Sequence, residues 1–274
     1  MLATRRTLLA LGAGAAAGAV LGGRCSGRAQ AADLYPSNTA LYRDPSLSEG
    51  IDYARRYLRQ GVFDDCSRRG TPFVRSVILA PHGGGLEPGT SELCLAVAGY
   101  HPATRAVTPL GVATHDYWMF EGIRASGNSE LHVTSTHCDD GVAVSLCAGA
   151  RNALGLHGCA TASVGLPDGT QAALVGGRND VLKERLLTAL SAAGITALDA
   201  AGVDAIDGDH PDNIANRTLL GMGAHLELTL PLRQAMFDVN TQSQRKDTTT
   251  ELFWSFVAAC RAAIAETEAD QPIL

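Results

Sequence analysis

Apolar residues along this chain come in two rhythms that alternate with each other, and the alternation predicts the fold. Short apolar runs bounded by glycine, proline or polar turns predict strands at residues 75–80, 110–113, 117–120, 131–136, 161–164, 172–175, 196–198 and 224–230. Longer stretches with a period near 3.6 predict helices between them. Leu182, Leu186 and Leu190 recur one turn apart over 181–193, with Asn179 or Asp180 as cap and Gly194 beyond the end. A last helix buries Leu252, Phe253, Phe256, Val257, Cys260 and Ile264 behind a capping box of Thr248 and Glu251. Further helices are predicted over 48–59 behind Ser48, from Thr90 onward, and over 142–154. Residues 32–45 read as an extended arm. Strands that alternate with helices imply one α/β domain with a mixed, largely parallel sheet flanked by helices.

The first 31 residues stand outside this pattern. Arg5 and Arg6 precede an apolar Ala/Gly-rich stretch, and Ala29-Gln30-Ala31 offers small residues to a signal peptidase. This predicts a twin-arginine-type signal peptide over 1–31, cleavage before Ala32, and a secreted domain over 32–274 with its core at about 45–262. The apolar stretch is shorter than the roughly 20 residues of a membrane span. No stable membrane association is therefore expected after cleavage.

The 274-residue chain is 46% hydrophobic and 18% charged, enough for one sizeable core. Its formal charge is −6, and removing a leader with four arginines and no acid brings it to −10. That argues against nucleic acid, which needs basic patches, and against long-range attraction to any polyanion. Six cysteines follow the leader: Cys66, Cys94, Cys138, Cys147, Cys159 and Cys260. In an exported protein they permit disulfides, with the pairing left open.

The chemistry concentrates in Pro81-His82-Gly83-Gly84-Gly85-Leu86-Glu87-Pro88-Gly89-Thr90. Imidazole and carboxylate are ligands that a catalytic zinc takes. A spacing of five does not share a helix face, but it suits a strand end followed by a loop that curls back. The three glycines permit that curl. His137, at the end of the strand predicted over 131–136, is the expected third ligand, while alternation puts His132 on the opposite face. Two His, one Glu and an open position make a catalytic zinc set, with one ion expected. Glu227 lies among Leu226, Leu228 and Leu230, where a carboxylate is costly unless paired or working, so it is the expected general base. Arg217 and Arg233 are candidates for gripping a substrate carboxylate, with Arg178 weaker.

Several segments, in order, resemble the phage-type poly-γ-glutamate hydrolases. They are residues 81–92, residues 131–140 with Ser135-Thr136-His137, Gly176-Gly177, residues 213–217, and residues 225–233. The resemblance implies a zinc-carboxypeptidase-like fold and cleavage of γ-glutamyl amide bonds. It implies zinc held by His82, Glu87 and His137, Glu227 as base, and Asn216 beside Arg217 in substrate binding. The substrate expected is poly-γ-glutamate. The alternatives are γ-D-glutamyl bonds of cell-wall peptides, or a secreted binding protein that keeps the fold without turnover.

Overall fold

The structure, a computed structural model, describes residues 33–59, 76–108, 114–203 and 206–271. The expected signal peptide, the strand predicted over 110–113, and Cys66 lie outside these residues. In chain order the elements are α1 (Asn38–Tyr42), β1 (Tyr53–Leu58), β2 (Ser76–Gly84), α2 (Thr90–Ala98), β3 (Asp116–Gly122), α3 (Gly141–Gly149), β4 (Asn152–Cys159), β5 (Ala173–Gly177), α4 (Asp180–Ala192), β6 (Ala197–Asp199), β7 (Ala224–Thr229), α5 (Leu230–Ala235) and α6 (Glu251–Ala269).

The seven strands form one mixed sheet in the order β1-β3-β2-β4-β7-β5-β6. Its centre, β3-β2-β4-β7, is parallel, β1 runs antiparallel to β3, β5 runs antiparallel to β7, and β6 is parallel to β5. This is the α/β architecture expected from the sequence.

Period-two alternation sorts the side chains to two faces. Ile78 and Ala80 of β2, Leu154 and Leu156 of β4, and Leu226 and Leu228 of β7 pack with α2, α4 and α6. Val77 and Leu79 of β2 face the other way, into a second core with Trp118, Phe120 and α3. On β7 that second face carries His225, Glu227 and Thr229, and on β4 it carries His157. The register sets His157 directly beside Glu227. Both central strands therefore present polar side chains on the same face at their carboxyl ends.

Six local expectations are corrected. Residues 48–59 form a turn and β1 rather than a helix, because Gly50 takes φ 89° and Tyr53–Leu58 pairs along β3. Residues 131–136 are not a strand. They run between two 3₁₀ turns, Asn128–Leu131 and Ser135–His137, and both edges of β2 are already taken by β3 and β4. The helix predicted over 142–154 stops at Gly149, and the chain re-enters the sheet as β4. Thr161–Val164 is a 3₁₀ turn. The arm is not wholly extended, since Ser37 caps α1 by accepting from the Ala40 amide. The cap of α6 is Thr250, whose hydroxyl accepts from Phe253 N–H, whereas Thr248 turns to Val239 and Gln244. Asn179 does cap α4, accepting from Leu182 N–H. Cys94, Cys138, Cys147, Cys159 and Cys260 are all buried and unbridged.

Candidate active site

The glycine-rich segment begins within the end of β2, which shifts register between Ala80 and Gly83. Glu87 N–H donates to the His82 carbonyl at 2.9 Å, so the five-residue loop closes on itself and brings the two side chains together. The Thr90 hydroxyl donates to the Glu87 carbonyl at 2.9 Å and ties the loop to the start of α2. Gly84 shows why glycine is needed. It takes φ 66°, and a Cβ there would stand 2.4 Å from the Gly122 carbonyl oxygen. Gly84 thus serves close backbone packing, while Gly83 and Gly85 make room for the Ser91 and Asn128 side chains.

His82 Nε2 lies 2.9 Å from the Val133 carbonyl. A carbonyl only accepts, so Nε2 carries the hydrogen and the neutral ring has its lone pair at Nδ1. That Nδ1 faces Glu87 Oε1 at 3.0 Å and His157 Nδ1 at 3.0 Å. His157 Nδ1 is 3.8 Å from Glu87 Oε2, which also accepts the Gly158 amide at 2.8 Å. His157 Nε2 meets the Ser135 hydroxyl at 3.3 Å, and with the ring hydrogen on that side three electron-rich atoms converge in a buried space, an arrangement that a cation would satisfy. The His82 imidazole holds a proton more tightly than usual. Burial works to lower its pKa, and the Glu87 charge and hydrogen bond, with Val133 and Glu227, turn the net shift upward. His157 is pushed well down by burial first, then by His225, His82 and His132, and stays neutral.

Around a tetrahedral zinc with bonds near 2.0–2.1 Å, neighbouring ligand atoms stand about 3.3 Å apart. The separations of His82 Nδ1, Glu87 and His157 Nδ1 bracket that value. His132 also brings a ring nitrogen within 4.8 Å of the His82 and Glu87 ligand atoms. However, its ring lies over His82 at 4.0 Å and only 31° from parallel. Stacked rings aim their in-plane lone pairs side by side, whereas the His82 and His157 rings meet edge-on at 67°.

His137 does not join this cluster. Its side chain is 55% exposed, and its nearest acid is Asp33, at 3.8 Å. The reason is the missing strand. The 3₁₀ turn at Ser135–His137 breaks the alternation that had put His132 on the far face and His137 on the near one.

Glu227 is at the site. Its carboxylate accepts from His225 Nε2 at 3.0 Å, which leaves His225 Nδ1 buried without a hydrogen-bond partner among the described residues. The His225 ring stacks on His157 at 4.3 Å. Burial first raises the Glu227 pKa, opposed by His225 and supported by the nearby Glu87 charge.

Arg233 is buried against the same site. Its Nη1 donates to the Pro88 carbonyl at 2.9 Å and its Nε to Leu228 at 3.1 Å. A Cβ at Gly158 would stand 2.3 Å from its Cζ, so the glycine makes room for the guanidinium. Asn216 is employed elsewhere, and Arg217 is tied to a backbone carbonyl through one of its donors. Arg217 Nη1 donates to the Cys138 carbonyl. Asn216 gives its amide hydrogens to the Gly208 and His210 carbonyls and accepts from Gly223 N–H, so no side-chain donor is left for a substrate carboxylate.

Sequence reasoning missed His157. The signal was present: Asn152 to Leu156 is mostly apolar and ends in His157-Gly158, as 77–80 leads into His82-Gly83. A helix drawn across 142–154 hid it.

A family model described as poly-gamma-glutamate hydrolase matches residues 66–259. The SPbeta prophage-derived protein YoqZ of Bacillus subtilis (strain 168) is 32% identical over 192 residues, covering 70% of this chain and 62% of that protein. The chain thus spans less than two thirds of this relative's length. The solved structure of a bacteriophage poly-gamma-glutamate hydrolase superposes with a TM-score of 0.70 at 30% identity, over 87% of this chain and all of that one. The zinc-free apo structure of YndL superposes with a TM-score of 0.68 at 26% identity, over 86% of this chain and 98% of that one.

Proposed function

Because this chain belongs to the poly-γ-glutamate hydrolase family, we propose that it is an exported zinc-dependent amidohydrolase that cleaves γ-glutamyl amide bonds, with poly-γ-glutamate as substrate. The observation that carries the proposal is the convergence of His82 Nδ1, His157 Nδ1 and the Glu87 carboxylate in a buried space. These residues would hold one zinc. The zinc-free description of YndL supports a metal in that relative. When bound, zinc would supply a Lewis acid that polarises the scissile amide carbonyl.

The chain's own residues do the rest. Glu227, raised in pKa by burial, is suited to take a proton from the attacking water and pass it to the leaving amine. His225 holds that carboxylate in place through Nε2. Arg233, fixed by two carbonyls, keeps Nη2 for a glutamyl carboxylate. This supplies local positive charge in an acidic protein, so capture of a polyanion rests on short-range contact rather than on the net field. Arg217 and Asn216 have no such role in this reading. Export rests on Arg5-Arg6 and Ala29-Gln30-Ala31. Among the described residues no helix is long and apolar enough to cross a membrane.

The test is incubation of the purified mature protein with poly-γ-glutamate and, separately, with γ-D-glutamyl muropeptides. Shortening of the polymer supports the proposal. Turnover of muropeptides alone moves the substrate to the cell wall, and turnover of neither leaves a binding protein.

A further inference from the structure

The N-terminal arm reaches this site through one side chain. Asp33 Oδ1 lies 2.7 Å from His132 Nδ1, and Asp33 Oδ2 accepts the Thr134 amide at 2.6 Å. An ionised carboxylate has no hydrogen to give, so the hydrogen sits on His132 Nδ1. The neutral ring then has its lone pair on Nε2. The same ring packs over His82 at 4.0 Å and approaches the Glu87 and His82 ligand atoms within 4.8 Å. The arm is held against this wall at two more points: Thr39 N–H donates to Asp139, and the Tyr42 hydroxyl to Asp140. Asp33 lies outside the family match, which begins at residue 66.

We propose that Asp33 is a positioning residue that acts through His132. It fixes the tautomer and orientation of the ring, so that Nε2 serves as a hydrogen-bond acceptor beside the zinc ligands. An amide substrate offers N–H groups to such an acceptor, and a fixed lone pair aligns the bond to be cut. Carboxylate–histidine pairs commonly orient a ring in this way. The inference rests on the hydrolase reading and adds to it an N-terminal arm that completes the site.

The experiment compares Asp33→Asn and Asp33→Glu with the parent protein. Asparagine can still accept from Thr134 through its carbonyl, so the arm keeps that tie. It presents an NH₂ donor to His132 Nδ1, which favours the opposite tautomer. NMR of the imidazole nitrogens should show His132 as the Nδ1–H form in the parent and in Asp33→Glu, and shifted to the Nε2–H form in Asp33→Asn. On poly-γ-glutamate, Asp33→Asn should lower kcat about 10- to 100-fold with KM nearly unchanged, and Asp33→Glu should recover part of the loss. Zinc content should be equal in all three. An unchanged tautomer or unchanged kcat in Asp33→Asn overturns the proposal. So does loss of zinc from that variant, which would make the arm a support for the metal. If the parent protein leaves poly-γ-glutamate intact, the hydrolase reading fails, and the tautomer measurement still decides whether Asp33 orients His132.

Discussion

The Nδ1 atoms of His82 and His157 face each other at 3.0 Å, although the residues are 75 positions apart. They meet because β2 and β4 are parallel neighbours and each ends its apolar run with His-Gly. Since His82 Nε2 is committed to Val133, the facing atoms repel each other unless a proton or a cation lies between them. Alanine at either His82 or His157 should therefore abolish tight zinc binding. Alanine at His137, which is mostly exposed, should leave it intact. Zinc content of the purified variants by elemental analysis checks this, and retention of a full equivalent by His157→Ala counts against the ligand set.

In the proposed function Glu227 transfers a proton and does not bind the metal. Glu227→Gln preserves shape and can still accept from His225, yet it cannot take up the proton. The hydrolysis rate should fall by about 10²–10⁴ while zinc content holds. Steady-state kinetics beside metal analysis separate the two roles, and a variant that loses its metal would make Glu227 a ligand.

Gly158 links packing to function. Its hypothetical Cβ falls 2.3 Å from the Arg233 guanidinium carbon, which is itself pinned by Pro88 and Leu228. Overpacking of this kind costs about 1–3 kcal/mol. Gly158→Ala should lower the thermal midpoint and raise KM more than it lowers kcat, because Arg233 is displaced. Gly149→Ala, with no atom within 4 Å of its added methyl group, is the control and should do neither.

The sequence carried the layers of the fold well. The Leu182-Leu186-Leu190 stripe and the alternation through Leu226, Glu227 and Leu228 report which side faces apolar neighbours, and burial enforces that locally. His82 with Glu87 was legible for the same reason, since the loop and both side chains lie within one short segment. The place of His157 beside them was not. Near 131–136 the residues favour extended backbone, but whether they join a sheet depends on a free strand edge, and β3 and β4 already flank β2. That tertiary fact moves His137 to the surface and brings His132 in over His82. Asn216 and Arg217 are similar cases. The amide hydrogens of Asn216 suit a ligand, yet nearby carbonyls of the folded chain claim them first, while Arg217 gives Nη1 to the Cys138 carbonyl.

The central claim, that this fold hydrolyses γ-glutamyl bonds with one zinc held by His82, Glu87 and His157, is tested most directly by metal titration. Protein stripped with a chelator is mixed with poly-γ-glutamate, zinc is added in steps, and polymer length is followed by size-exclusion chromatography. The account predicts no cleavage by the stripped protein, then activity that rises in proportion to added zinc and saturates at about one equivalent per chain. Full cleavage by the stripped protein, or none at any zinc level, would contradict it.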